Sequence, residues 1–356
     1  MRVLVVGYGK IGKIKSSLWK SLGARVFAYD RKGSAAKAIT QDGFIRFNDS
    51  FNDDPEDFII DISTSASQHF AALQWAVSSI HQKPAAILIE KPIVSSREER
   101  ADLIHFVQNF EPYDLHDIIY VNESYHSSLA LKQVKTALAL HGEPIRSVRM
   151  ELSKNRLHDN QDNRFFDHNL GSIGIELPHM IAALQALGLS LEALRDQTPR
   201  LLVHGGRLDN QGLILEYNDG PAAVSLATYL GDFRLGENGL LDHNRETIRS
   251  LQVSTAEHNY HITFDPTPGL PRYFSEVTEQ RTDGSPPRTI SLADNHLNAH
   301  LAMFLSRSLP PDMRELLSLQ NALSISDLLC SLKENSVTHA VNFAKPRRVA
   351  PKTLVD

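Results

Sequence analysis

A single cysteine, Cys330, occurs in 356 residues, which excludes an internal disulfide and any cysteine-based metal cluster. It falls in the helical pattern "SISDLLCSL" and reads as a small buried hydrophobe. No apolar run approaches the roughly 20 residues of a membrane span. Met1 leads directly into a strand pattern rather than into a charged, cleavable leader. Long basic runs are missing too: the formal net charge is -5, and the short "KPRRVAPK" near the end is the nearest candidate. That leaves no electrostatic footprint for nucleic acid. No HExxH or comparable ligand spacing occurs, so no metal is expected. Internal repeats and low-complexity segments are absent as well. What remains is the expectation of a globular, cytoplasmic protein without membrane or nucleic-acid partners, long enough for about two domains.

Against these absences stands the opening, "MRVLVVGYGKIG". "RVLVV" is an apolar run of strand length, the glycine-spaced turn follows, and "KIKSSLWKSLG" has helical character up to Gly23. A second strand, "RVFAYD", ends at Asp30, about 20 residues on, where a carboxylate can accept from ribose hydroxyls. In a strand-turn-helix of this kind Gly7 makes the tight turn, Gly9 lets the backbone approach a pyrophosphate, and Gly12 lets helix and strand pack closely. The helix N-terminus then faces the anion. The turn residues Gly7, Tyr8, Gly9, Lys10, Ile11 and Gly12, with Asp30 and Arg31, are therefore the first candidates for holding a dinucleotide. Asp30 favours NAD by bonding a free 2′-hydroxyl, whereas Arg31 and Lys32 could compensate the 2′-phosphate of NADP.

Alternation continues through "DFIIDIST", "SQHFAALQWAVSSI", "AAILIEKP", "SREERADLIHFVQNF" and "DIIYVNES". Strands alternating with helices imply a doubly wound parallel sheet of the Rossmann kind over residues 1–122, with ligands beyond the carboxyl ends of its strands. The polar segments there are "STSASQH", "EKP" and "NESYH". From 123 to 356 the pattern changes to a helix, "SLALKQVKTALALHG", then alternating strands such as "IRSVRMELS", "LLVHGGRL", "GLILEYN", "AAVSLATYL" and "RSLQVSTAEH". This predicts an α+β domain with an open, largely antiparallel sheet. The helix "ELPHMIAALQALG" interrupts it, and "NHLNAHLAMFLSRSL" and "LQNALSISDLLCSLKENS" close the chain.

Taken together, "VVGYGKIG", "STSASQH", "LIEKP", "VNESYHSSLALKQVKTAL" and "NRETIRSLQVSTAEHNYHITFD" resemble the glucose-fructose oxidoreductase, inositol dehydrogenase and rhizopine-catabolism (Gfo/Idh/MocA) family over nearly the whole chain. The resemblance implies a nicotinamide-dependent oxidoreductase acting on sugars or cyclitols. It places Ser63, Thr64, Ser65 and His69 in a second nucleotide loop, Glu90 and Lys91 in the diagnostic tripeptide, and His179 on a helix facing the nicotinamide. In the family an aspartate usually stands four residues before that histidine; here the position is Ile175, and the nearest carboxylate is Glu176. The resemblance also implies a homodimer or homotetramer joined through the outer face of the second sheet.

Moving a hydride between a secondary alcohol carbon and nicotinamide leaves an oxygen that must lose or gain a proton. Lys91 at a strand end can hold that oxygen and stabilise alkoxide charge. His179 suits the proton transfer near pH 7, while Glu176 is open between orienting the imidazole, binding a hydroxyl and stabilising a helix N-terminus. Tyr125, His126, Lys154, Arg156, Arg164, Asp167 and His168 are candidates for contacting substrate hydroxyls. Three functions stay open: a sugar or cyclitol dehydrogenase or ketoreductase, a redox-neutral glycosidase-type enzyme using the same NAD, and a non-catalytic sensor.

Overall fold

The structure is a computed structural model, described at residues 1–48, 51, 52, 54, 56–156, 169–190, 192–204, 210–235, 241–243 and 247–341. Its first layer comprises β1 (Arg2–Val6), α1 (Lys10–Ser21), β2 (Arg25–Tyr29), α2 (Gly33–Gln41), β3 (Ile45–Arg46), β4 (Phe58–Ile62), α3 (His69–Ser79), β5 (Ala86–Glu90), α4 (Arg97–Gln108) and β6 (Ile119–Asn122). The strands form one sheet in the order β3-β2-β1-β4-β5-β6, every neighbouring pair parallel. β1 and β4 are buried at every residue, as strands covered by helices on both faces must be. The order reverses between β1 and β4, so the crevice beyond their carboxyl ends is bounded by Gly7 and Ser63.

From β6 the chain passes through a 3₁₀ turn, Ser124–Ser127, into the second layer. There follow α5 (Leu129–His141), β7 (Ser147–Ser153), α6 (Ser172–Ile175), α7 (Leu177–Ala186), β8 (Arg200–Val203), β9 (Gln211–Tyr217) and β10 (Ala223–Tyr229). A small hairpin, β11 (Phe233–Leu235) and β12 (Leu241–His243), precedes β13 (Ile248–Ser254), β14 (His258–Thr263), β15 (Phe274–Arg281) and β16 (Arg288–Ala293). Three helices, α8 (His296–Leu305), α9 (Pro311–Leu317) and α10 (Leu319–Asn335), and a last strand, β17 (Val337–Ala340), complete the described chain. The large sheet runs β16-β15-β14-β13-β7-β10-β9-β8-β17. It is antiparallel except where β10 meets β7 and where β17 meets β8. The expected fold class, a doubly wound parallel sheet plus an open and largely antiparallel one, is the architecture found.

Local signals explain the second layer's start. Ser128 Oγ accepts the Leu131 N–H at 3.3 Å, capping α5, and Gly142 closes that helix at φ 66°. α5, α7 and the later turns of α10 cover one face of the large sheet, and Met150, Leu226, Leu251 and Ile262 meet them there. The first core is not drawn from the first layer alone. Leu301, Phe304, Met313, Leu317, Leu319, Ala322 and Leu323, from the three C-terminal helices, pack into it. α10 therefore serves both cores, with Leu328, Leu329 and Leu332 in the second. Among the described residues no helix is long and apolar enough to cross a membrane.

Candidate active site

The nucleotide turn is built by close contacts of its glycines. Gly7 sits at φ +95°, and a Cβ there would lie 2.8 Å from Thr64 Cγ2. At Gly12 a Cβ would meet the Gly7 carbonyl oxygen at 1.9 Å. Gly9 differs: a Cβ there meets nothing within 4 Å, so packing inside the protein does not explain this glycine. Gly9 is also the N-cap of α1, whose first turn has neither a side-chain cap nor an acidic residue. The unspent N–H groups at that end suit an anion. Asp30 Oδ2 accepts the Tyr8 N–H at 2.8 Å and Oδ1 the Lys32 N–H at 2.8 Å, which fixes the carboxylate at the tip of β2. Tyr8, expected to touch the cofactor, turns inward: it is 4% exposed, packs on Ala28 and Ile39, and donates from its hydroxyl to Asp42 at 3.0 Å. Lys10 and Arg31 are exposed and Ile11 is half-buried.

Beneath the turn lies a polar knot that the sequence reading missed. Lys15 on α1 is fully buried and donates to Asp61 on β4 and, at 2.8 Å, to Glu90 at the end of β5. Asp61 also accepts from Trp19 Nε1 at 2.7 Å and Ser63 Oγ at 3.1 Å, and Glu90 from Asn122 Nδ2. Burial alone would lower the Lys15 pKa; the two carboxylates outweigh it and raise the pKa, so the ammonium stays charged. Glu90, expected at the cofactor, is thus committed to holding α1, β5 and β6 together. His69, also expected there, is 1% exposed. Its Nδ1 lies 3.0 Å from the Pro92 carbonyl and its Nε2 3.2 Å from the Thr64 carbonyl, so the ring sits between the two loops and its single N–H donates to one of them. Burial lowers its pKa and keeps the ring neutral near pH 7. Ser63 is buried, and Thr64 and Ser65 are half-buried.

Beyond the ends of β5 and β6 the chemistry-bearing groups converge. Lys91 Nζ donates to the carbonyl of Ile175 at the end of α6, joining the two layers. His179, in the first turn of α7, places Nδ1 2.9 Å from Oε1 and 2.8 Å from Oε2 of Glu123. Glu123 is 3% exposed and accepts the Tyr125 N–H at 3.0 Å. Burial would raise its pKa, but the His179 imidazole and the Lys91 ammonium hold it down at about 2, so the carboxyl is an anion.

Of the three readings left open for Glu176, this contact gives the orienting of the imidazole to another carboxylate. Glu176 is the N-cap of α7, where its backbone carbonyl accepts the His179 N–H at 3.1 Å, and its charge acts on Tyr125 and Arg249. The carboxylate that meets His179 comes from β6 instead. Glu123 stands in "NESYH", one of the strand-end segments singled out above, and its position directly beyond a parallel strand was the available signal.

Tyr125 and His126 diverge. The Tyr125 ring lies 4.9 Å from the His179 ring, and burial keeps its phenol protonated by raising its pKa. His126 is 3% exposed, has no partner at either ring nitrogen, and lines a pocket with Lys91, Pro92, Glu123, Pro178 and Ser326. Arg156 and Lys154 are half-buried after β7, their N–H groups on the carbonyls of Leu230 and Tyr229 at 2.9 Å. Arg164, Asp167 and His168 lie outside the described residues. Arg249 on β13, unassigned in the sequence, donates to the Asp265 carbonyl at 3.1 Å. Among the described residues the nearest approach to a metal-ligand set is His141, His258 and Glu279. Its imidazoles stack face to face at 4.2 Å, with Glu143 2.8 Å from His258 Nδ1.

No protein-family model matches the chain, and no curated protein sequence does. Solved structures do. A UDP-N-acetylglucosamine 3-dehydrogenase, GnnA from Acidithiobacillus ferrooxidans, superposes with a TM-score of 0.65 at 15% identity, over 94% of this chain and 97% of that one. KijD10, a 3-ketoreductase from Actinomadura kijaniata in complex with TDP-benzene and NADP, gives 0.66 at 12% identity, over 96% and 99%. The chain has the fold of these oxidoreductases. The likeness spans both layers, as the near-complete coverage of each chain requires.

Proposed function

We propose that the chain is an NAD(P)-dependent oxidoreductase that moves a hydride between nicotinamide and a secondary alcohol or ketone of a sugar, sugar derivative or cyclitol. The observation that carries this reading is the convergence, beyond the carboxyl ends of β5 and β6, of Lys91, which shares a pocket with the buried carboxylate of Glu123, and His179, whose imidazole that carboxylate holds. A dinucleotide fits the residues present: Gly9 opens to free space, the N-terminus of α1 is uncapped, and Asp30 is fixed at the end of β2. Bound nicotinamide supplies the hydride acceptor or donor. Lys91 then holds the substrate oxygen, which takes the place of the Ile175 carbonyl as the ammonium's partner, and stabilises negative charge on it. His179 takes or returns the hydroxyl proton. Asp30 favours NAD, the exposed Arg31 and Lys32 accommodate NADP, and the like-folded KijD10 was solved with NADP.

The test is a fluorescence titration with NADH and NADPH, then a panel of free and nucleotide-linked sugars and cyclitols read in both directions against Lys91→Ala. Binding should be retained in the variant while turnover falls by about 10²–10⁴-fold. Absence of dinucleotide binding would overturn the reading, as would turnover that survives Lys91→Ala.

A further inference from the structure

We infer that Glu123 is the positioning residue for His179, a role filled from the end of β6 and not by a carboxylate on the His179 helix. This rests on the oxidoreductase reading above. A neutral imidazole carries one N–H, and its location is set by what faces each nitrogen. Both oxygens of Glu123 face Nδ1, at 2.9 and 2.8 Å. The carboxyl is an anion, buried at 3% exposure, and has only acceptor capacity. The hydrogen therefore resides on Nδ1, and Nε2 presents a lone pair on a side chain that is 22% exposed.

When an alcohol is oxidised, the hydroxyl proton passes to Nε2, the carbon–oxygen single bond becomes a carbonyl as the hydride leaves the carbon, and the imidazole becomes imidazolium. Its new positive charge forms beside an anion already in place, so the carboxylate stabilises the imidazolium and fixes its ring. In the reducing direction the same imidazolium returns the proton. The chain needs such a group from elsewhere because Ile175 and Glu176 cannot supply it. Ile175 has no carboxylate, and Glu176 enters α7 as its N-cap, its backbone carbonyl accepting the His179 N–H at 3.1 Å, while the carboxylate that meets the ring is that of Glu123. The competing explanation is architectural: Glu123 also accepts the Tyr125 N–H at 3.0 Å and could serve only to hold that turn.

Two measurements separate these roles. The first needs no turnover: nitrogen-15 correlation spectra of histidine-labelled protein should show His179 as the Nδ1–H tautomer in the wild type, and a changed protonation pattern in Glu123→Gln. The second is a kinetic cycle of Glu123→Gln, His179→Gln and the double variant, with dinucleotide affinity and the melting temperature read on each. Glu123→Gln should keep dinucleotide affinity within about twofold, lose about 10²–10⁴-fold in kcat, and move the acid limb of the oxidation pH profile to lower pH. Adding it to His179→Gln should cost little more, because the two act as one unit. Formate should restore part of the activity of Glu123→Ala. A wild-type His179 protonated on Nε2 would overturn the inference, and so would additive losses in the cycle with an unmoved acid limb. If the wild type turns over nothing, the oxidoreductase reading fails while the tautomer still decides the role of Glu123.

Discussion

Burial decides the protonation of two imidazoles, His126 and His300. His126, with neither ring nitrogen partnered, is pushed down to about 4 by burial, and His300, fully buried on α8, to about 3. Both values lie below the ordinary 6.5, so between those limits the unfolded chain binds protons that the folded one refuses. Their contribution is complete above about pH 6.5 and is lost as pH falls toward 4 and then 3. Glu123, held near 2 against an ordinary 4.5, acts in the same sense lower down, its contribution present above about 4.5 and lost on approach to 2. The urea midpoint should therefore be level from pH 8 to 7 and drop below 6.5. His126→Phe should flatten the part between 6.5 and 4 by of the order of 3 kcal/mol. A wild-type midpoint that stays level through that window would contradict neutral, buried imidazoles. Lys91 and His179 were legible as candidates in the sequence. Glu123 was not chosen because its meeting with His179 joins the end of β6 to α7, and no linear spacing displays that approach.

Elements were the most legible level, since continuous apolar strands, capped helices and glycine stops are local signals. The exceptions include α2, β3, the β11–β12 hairpin and β17, which the sequence did not mark; β17 is exposed at every residue and lies at the sheet edge beside β8, with no alternation to mark it. The glycine turn separates local need from ligand need. Gly12→Ala drives a Cβ into the Gly7 carbonyl at 1.9 Å, so α1 must shift. Stability should fall by about 1–3 kcal/mol, together with dinucleotide affinity. Gly9→Ala meets nothing within 4 Å and has an ordinary φ of -77°. It should change stability by less than about 1 kcal/mol yet weaken NADH and NADPH binding by tenfold or more, because the methyl group occupies the space a pyrophosphate requires. Calorimetry and fluorescence titration on the two variants check this. Unchanged affinity in Gly9→Ala would remove the turn from the cofactor site.

At the scale of the molecule, the change of pattern at residue 123 marks where the chain leaves the first sheet, and composition has no means of showing that it comes back. Leu301, Phe304, Met313, Leu317, Leu319, Ala322 and Leu323 return to the first core, and the isolated bridge between Tyr120 and Ser318 stitches β6 to the start of α10. Burying a large apolar side chain contributes about 1.5–3 kcal/mol. Several of them together match the whole stability of a typical domain, about 5–15 kcal/mol. A fragment of residues 1–122 would leave that face in water and should bind a hydrophobic dye without a cooperative melt. The full chain should unfold in one calorimetric transition, because α10 contributes to both cores and neither can open without exposing it. Arg97 on α4 strengthens the tie at the surface, reaching Asp327 at 2.6 Å and Glu334 at 2.7 Å across α10, although exposed pairs of this kind contribute little beside the apolar contacts. Two separated transitions in the full chain, or a sharp melt of the 1–122 fragment, would show that the first sheet is self-sufficient. The C-terminal helices would then be a covering and not part of its core, and the cleft holding Lys91, Glu123 and His179 could open without unfolding either layer.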